Sequence, residues 1–137
     1  MLVGMAVPRF ERTYQRISLE HHALTLVGTL RYAQATAVVE RRAYRWAYDP
    51  SAATYWLAVN TDTAKPEVFD RLPSRWGRPH VLPPALHLDT PRTQITFYPD
   101  GRAEAATLKL EGARRERFLV TVDGATGNAS AQLVRQP

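Results

Sequence analysis

The stretch Ala23-Leu24-Thr25-Leu26-Val27-Gly28-Thr29-Leu30-Arg31-Tyr32-Ala33-Gln34-Ala35-Thr36-Ala37-Val38-Val39 contains a single charged residue, Arg31. Its apolar side chains recur every three to four positions, the spacing of a helix, and the pattern extends to both sides, so one long helix is expected over residues 10–42. Two stripes run along it. Leu19, Leu26, Leu30, Ala33 and Ala37 share one face, where the two alanines are small enough to let a sheet approach the backbone; this is the expected helix–sheet core. Ile17, Leu24, Gly28, Ala35 and Val39 lie roughly opposite. A helix in a chain of this size turns one face to the core and one to water. The second stripe therefore asks for a partner outside the chain and is the expected helix–helix assembly face. At about 1.5 Å per residue the helix is roughly 50 Å long, so it is expected to protrude.

The chain has 137 residues, enough for one domain with its own core, and no cysteine, which removes disulfides, thiolate zinc sites and thiol nucleophiles together. The net charge of +5 comes mainly from arginine and permits contact with nucleic acid or anionic lipid without demanding it. The arginines are scattered; only Arg41-Arg42 and Arg114-Arg115 are adjacent. That is the distribution of solvated faces.

Ahead of the helix, Met1 to Val7 is uninterrupted apolar sequence closed by Pro8 and Arg9. It is far shorter than the roughly 20 residues that cross a bilayer. It reads either as a short buried strand or as the last turns of a transmembrane helix. The helical pattern resumes directly after Pro8, which favours the second. Residues 1–9 are thus expected to be the remnant of an anchor and residues 10–137 a globular domain, with the helix over 10–42 and a β-region over 43–137.

From Tyr44 the period changes to two. Tyr44, Trp46 and Tyr48 form one face of a strand that turns at Asp49-Pro50-Ser51-Ala52 into a second strand, Thr54 to Val59. An aromatic face interleaved with arginine is either a sheet surface packed on the helix or a platform for stacking bases, and packing is the commoner use. From Asn60 to Pro84 five prolines break the pattern into a long excursion with one short element near Phe69 to Leu72. Within it Trp76, flanked by Arg75 and Arg78, is the candidate partner contact; the alternative is a tryptophan that pins the loop down. Strands follow at Ala85 to Leu88 and Gln94 to Tyr98. Pro99-Asp100-Gly101 is expected to turn the chain into a partner strand, Glu104 to Leu110, and Arg117 to Val122 to pair with Asn128 to Leu133. One helix before several short antiparallel strands is an α+β fold, a long N-terminal helix packed on antiparallel sheet.

Catalytic signatures are missing. There is no glycine-rich phosphate loop, no Gly-x-Ser-x-Gly elbow and no His-Glu-x-x-His pair. His21 and His22 point about 100° apart on a helix and cannot chelate together. His80 and His87 have no acidic neighbour at ligand spacing. Asn60-Thr61-Asp62-Thr63 offers alternate oxygens but lacks the later glycine and glutamate of a calcium loop. Asp49, Asp100 and Asp123 are read as turn formers. No enzyme activity, metal or cofactor is expected.

Taken in order, the apolar start through Pro8, Leu26-x-x-x-Leu30-Arg31-x-Ala33-x-x-x-Ala37-Val38, the aromatic hairpin, Ile95-Thr96-Phe97-Tyr98-Pro99-Asp100-Gly101-Arg102 and Val120-Thr121-Val122-Asp123-Gly124-Ala125-Thr126-Gly127 resemble the type IV pilin superfamily. The nearest subgroup is the H class of minor pseudopilins in type II secretion, with the related FimT minor pilins. The resemblance implies a pilin-like fold without an active site. It implies a subunit cut and methylated by a prepilin peptidase and held in the bacterial inner membrane by a single N-terminal helix, with its domain in the periplasm. Its partners would be other pseudopilin or pilin subunits near the tip of a short filament, and the secreted substrate.

Two other readings stay open. A FimT-like minor pilin would act in pilus assembly or bind DNA for uptake; at the corresponding hairpin this chain has Gly127-Asn128-Ala129-Ser130, so Arg114, Arg115 and Arg117 would have to supply the phosphate contacts. A soluble ligand-binding module would use a cleft under the 60–84 loop, lined by Trp56 and Trp76.

Overall fold

The computed structural model describes residues 3–112 and 116–135, with side chains from Ser18 to Gly112 and from Glu116 to Val134. One helix, α1 (Val3–Glu40), precedes nine strands: β1 (Tyr44–Asp49), β2 (Thr54–Asn60), β3 (Phe69–Arg71), β4 (His80–Val81), β5 (His87–Asp89), β6 (Gln94–Phe97), β7 (Ala106–Glu111), β8 (Glu116–Val122) and β9 (Ala129–Arg135). A single 3₁₀ turn, Arg75–Gly77, lies between β3 and β4.

The strands form two antiparallel sheets. The first has the order β3-β2-β1-β6, with β4 paired to the outer end of β2; the second has the order β5-β7-β8-β9. α1 lies across both, touching β1 and β6 of the first and β7, β8 and β9 of the second. The core is what those three surfaces enclose. Leu26, Leu30, Ala33 and Ala37 of the helix meet Tyr44, Trp46, Tyr55, Leu57, Ile95 and Phe97 from one sheet and Leu108, Leu110, Val120 and Val122 from the other. Because strand side chains alternate, the aromatic face of β1 is the face turned to the helix. Tyr44, Trp46 and Tyr48 are all buried there, so they are packed sheet and not a stacking platform.

The helix stops two residues before the expected end. Arg41 takes a left-handed conformation, φ 57°, and the Arg42 N–H donates to the Ala37 carbonyl at 3.2 Å. Those two features are the closing bonds and twist of a Schellman ending, with arginine where glycine is usual.

The second difference concerns Pro99-Asp100-Gly101. The turn itself forms: Gly101 has φ 95°, its N–H donates to the Tyr98 carbonyl at 3.0 Å, and the Tyr98 N–H donates to Arg102 at 2.8 Å. It does not join a hairpin. β6 belongs to the first sheet and β7 to the second; the segment ahead of β7 follows β6 briefly, through the bridge Phe97–Ala103 and the Glu104 N–H donated to the Thr96 carbonyl at 2.9 Å. After that bridge the Ala103 N–H turns to the Gly124 carbonyl at 3.0 Å, which carries the chain across to the second sheet. The expected β8–β9 hairpin is present in full register from Glu116–Arg135 to Val122–Ala129.

Candidate functional site

Among the described residues no group of three or more His, Asp or Glu is placed to hold a metal ion. The aspartates are turn formers. Asp49 accepts from the Ser51 N–H at 3.0 Å, Asp100 from Arg102 at 3.0 Å and Asp123 from Ala125 at 2.8 Å. Asp49 also accepts from the Ser51 hydroxyl at 2.7 Å, and that bond above all holds its pKa below the usual range, as the Arg102 bonds do for Asp100. Asn60 is buried, and its amide donates to the Lys65 and Val68 carbonyls, both at 2.9 Å, so it clamps the start of the long loop instead of ligating an ion.

What the fold leaves uncovered is the outer face of α1. Leu19, Leu26, Leu30, Ala33 and Ala37 are buried under the sheets. On the other side Leu24 is 56% exposed and Val39 79%, and Ala35 is also exposed. Gly28 lies on the same line, and a Cβ built there meets nothing within 4 Å. The Ile17 side chain lies outside the described residues. Val38, 43% exposed, belongs to this face as well. Helical spacing places it about 40° from Leu24, so the sequence held the signal for it. Arg31, exposed and about 20° from Leu24, lies within the same face and donates from Nε to the Ala129 carbonyl at 2.9 Å, which ties α1 to β9.

At the C-terminal end of α1, on the side turned to the core, the hydroxyl of buried Tyr44 donates to the Glu40 carboxylate. Burial and that bond both push the Tyr44 hydroxyl well above its usual range, so it stays protonated. Tyr55, under the middle of the helix, is pushed up to about 12 by burial.

The loop residues have inward roles. Trp76 stacks on Tyr32 of α1, ring centroids 4.3 Å apart and 8° from parallel. It pins the loop to the helix. Arg75 lies 5.6 Å from the Trp76 ring centroid, and Arg78 is exposed after the 3₁₀ turn. Trp56 points the other way, to the sheet face turned from the helix, where Arg71 covers it at 5.1 Å. The two tryptophans therefore do not line one cleft. Arg117 stands 3.9 Å from Glu111 across the β7–β8 pair. Arg114 and Arg115 lie outside the described residues.

Among solved structures, the minor pseudopilin EpsH from the type 2 secretion system of Vibrio cholerae is similar with a TM-score of 0.70, over 86% of this chain and 97% of that one, at 14% identity. The type IV minor pilin FimU of Pseudomonas aeruginosa gives 0.62 over 83% and 92%, at 16% identity. Likeness at such identities is likeness of fold, and it is the pilin-like one. No curated protein sequence matches. The family model for the type II transport protein GspH matches residues 22–126, from the middle of α1 to the turn before β9. With well over half of its residues matched, the chain belongs to the GspH family of type II transport proteins.

Proposed function

We propose that this chain, a minor pseudopilin of the GspH class, serves type II secretion as a non-catalytic structural subunit whose α1 packs laterally on the helices of other pseudopilin subunits. One observation carries the reading. The outer face of α1 leaves Leu24, Ala35, Val38 and Val39 uncovered around a single charge, Arg31, and Gly28 leaves room for a neighbouring helix to approach the backbone. Full burial of a leucine or valine side chain is worth about 1.5–3 kcal/mol, so this face gains from association what the monomer leaves unused. Family membership supports placing the domain on the periplasmic side of the bacterial inner membrane, anchored by a helix. Among the described residues no helix is long and apolar enough to cross a membrane.

Leu24→Glu and Val39→Glu test the face. Each is expected to leave the fold within about 0.5 kcal/mol of the parent, since both sites are exposed, while secretion in a strain that depends on this subunit is lost. Secretion equal to the parent in both variants removes the assembly face.

The likeness to FimU lends weaker support to a second reading, a FimT-like type IV minor pilin that acts in pilus assembly. Its DNA-uptake version draws less support. The 127–130 hairpin carries no arginine, and Arg117 already faces Glu111.

A further inference from the structure

Where α1 ends, on the side of the first sheet turned away from the helix, a concavity of about 460 Å³ opens to solvent. Three arginines line it, Arg41, Arg42 and Arg45, against one carboxylate, Glu104. The carboxylate is already satisfied. Its Oε2 lies 2.9 Å from Arg92 Nη1, and its Oε1 accepts the Thr96 N–H at 2.8 Å. None of the three lining arginines has an ion pair among the described residues.

Arg45 is held in place before any ligand arrives. Its guanidinium carbon sits 3.8 Å from the centroid of the Phe69 ring, and its Nε donates to Thr96 Oγ1 at 3.2 Å. A guanidinium fixed by a ring and by Nε keeps its two outer nitrogens as a ready fork, so little rotamer freedom is lost when a carboxylate docks. Arg41 brings a second, independent feature. Among the described residues it is one of two non-glycines with positive φ, and it occupies the position where a Schellman ending favours glycine. The helix dipole accounts for a cation near the end of α1, but a cation one turn earlier would serve it without left-handed backbone. The left-handed residue is one of the three arginines that line the concavity.

We propose that this concavity binds a carboxylate on an acidic segment of a partner protein. The Arg45 fork takes its two oxygens, Arg41 and Arg42 supply the attracting charge, and the Phe69 and Tyr98 rings flank its apolar neighbours. Nucleic acid fits the site less well. A strand repeats its charge every few ångströms and asks for cations spread along a track, whereas these three converge on one enclosure with aromatic and proline walls. The site is separate from the outer face of α1 and does not rest on its role.

The test is a titration of the isotope-labelled full chain followed by nuclear magnetic resonance, with three probes: the capped tripeptide N-acetyl-Phe-Glu-Phe-amide, its glutamine counterpart, and a short oligothymidylate. The glutamate peptide is expected to shift the Arg45 Nε–H and Thr96 signals saturably, more weakly at high salt, and at least about tenfold more tightly than the glutamine peptide. Arg45→Lys keeps the charge but removes the fork and is expected to cost about tenfold in affinity. Arg42→Gln, at an exposed site that leaves the sheet untouched, is expected to weaken binding several-fold. Undisturbed signals, equal binding of both peptides, an unchanged affinity in Arg42→Gln, or shifts produced by the oligothymidylate alone would each overturn the proposal.

Discussion

Leu26 and Leu30 are sealed under the sheets, while Leu24, between them and the helix start, and Val39, near its end, stand in solvent on the same helix. Residue type separates the two faces only by Arg31, since each is otherwise built of leucine, valine and alanine with one glycine or threonine. What separates them further is cover. The buried face has Ala33 and Ala37 where β1 and the second sheet come close, and the large aromatics of β1 and β2 fill the space the alanines leave. Gly28 makes a similar gap on the outer face, and nothing in the chain fills it. A helix with two apolar stripes and one sheet-bearing side is the feature on which the proposed assembly role rests.

The largest expected effect lies on the covered side. Leu30→Ala removes a side chain with no exposure from the junction of helix and sheets and is expected to cost about 3 kcal/mol, within the 2–5 kcal/mol seen for such truncations. The reading is a lower denaturant midpoint at unchanged slope. Leu24→Ala is expected to shift that midpoint hardly at all. If the two truncations cost the same, the two faces do not differ and the comparison fails.

Next comes the flank, where the β8–β9 turn reaches α1. Gly127 has φ 72°, and a Cβ there would lie 2.4 Å from the Gly101 carbonyl oxygen and 2.8 Å from Cγ of Gln34. Gly127→Ala therefore combines left-handed strain with a clash against backbone, an expected loss of about 2–3 kcal/mol. Gly101→Val shares the positive φ, yet its Cβ site has only Val38 Cγ2 nearby, at 3.9 Å. It is expected to lose about 1–2 kcal/mol, and thermal melts that rank the two the other way round would place the close approach elsewhere.

These residues also show how far the sequence could be read. Helical spacing identified α1, and period-two alternation identified the strands of β1, β2 and β8, because each pattern is written in consecutive residues. Gly101 was legible as a turn for the same reason. The sheet to which the next strand belongs was not, since that depends on Ala103 finding Gly124, a partner twenty-one positions away. Trp76 was equally open in sequence between an outward and an inward role; the stack on Tyr32 is a long-range contact that no local pattern encodes. The concavity at the helix end is harder still. Arg41, Arg42 and Arg45 are neighbours in sequence, but Phe69, Thr96 and Glu104 come from three other segments, and only the first sheet brings them together.

Gly28→Ala sharpens the comparison from the uncovered side and has the opposite sign. A mid-helix glycine costs about 0.5–1 kcal/mol relative to alanine, and here the added methyl meets nothing, so the isolated chain is expected to gain roughly that much. If the glycine instead serves a neighbouring helix, the same variant is expected to melt higher and support secretion less well. A variant that gains stability and secretes normally would show that close approach at Gly28 is not needed.

The smallest effect is set by His22, half-buried at the border between the faces, and by His80, stacked on Tyr55 at 5.0 Å. Burial holds both below the usual histidine value of 6.5, and for His22 the neighbouring His21 and His80 add to it. A histidine whose folded pKa is depressed binds its proton more readily in the unfolded chain, so stability rises with pH in this window. The contribution is complete above about pH 6.5 and falls away as pH drops through the lower folded values. Melting temperatures are therefore expected to decline from pH 7.5 to pH 5, and the paired replacement His22→Gln with His80→Gln to flatten that decline. The lowered carboxyls of Asp49 and Asp100 lose their own contribution only below the ordinary carboxylate value of 3.8, so the two effects separate on the pH axis. An equal slope in parent and double variant would move the titrating groups away from this border, and with them the claim that the edge of the covered face runs through His22.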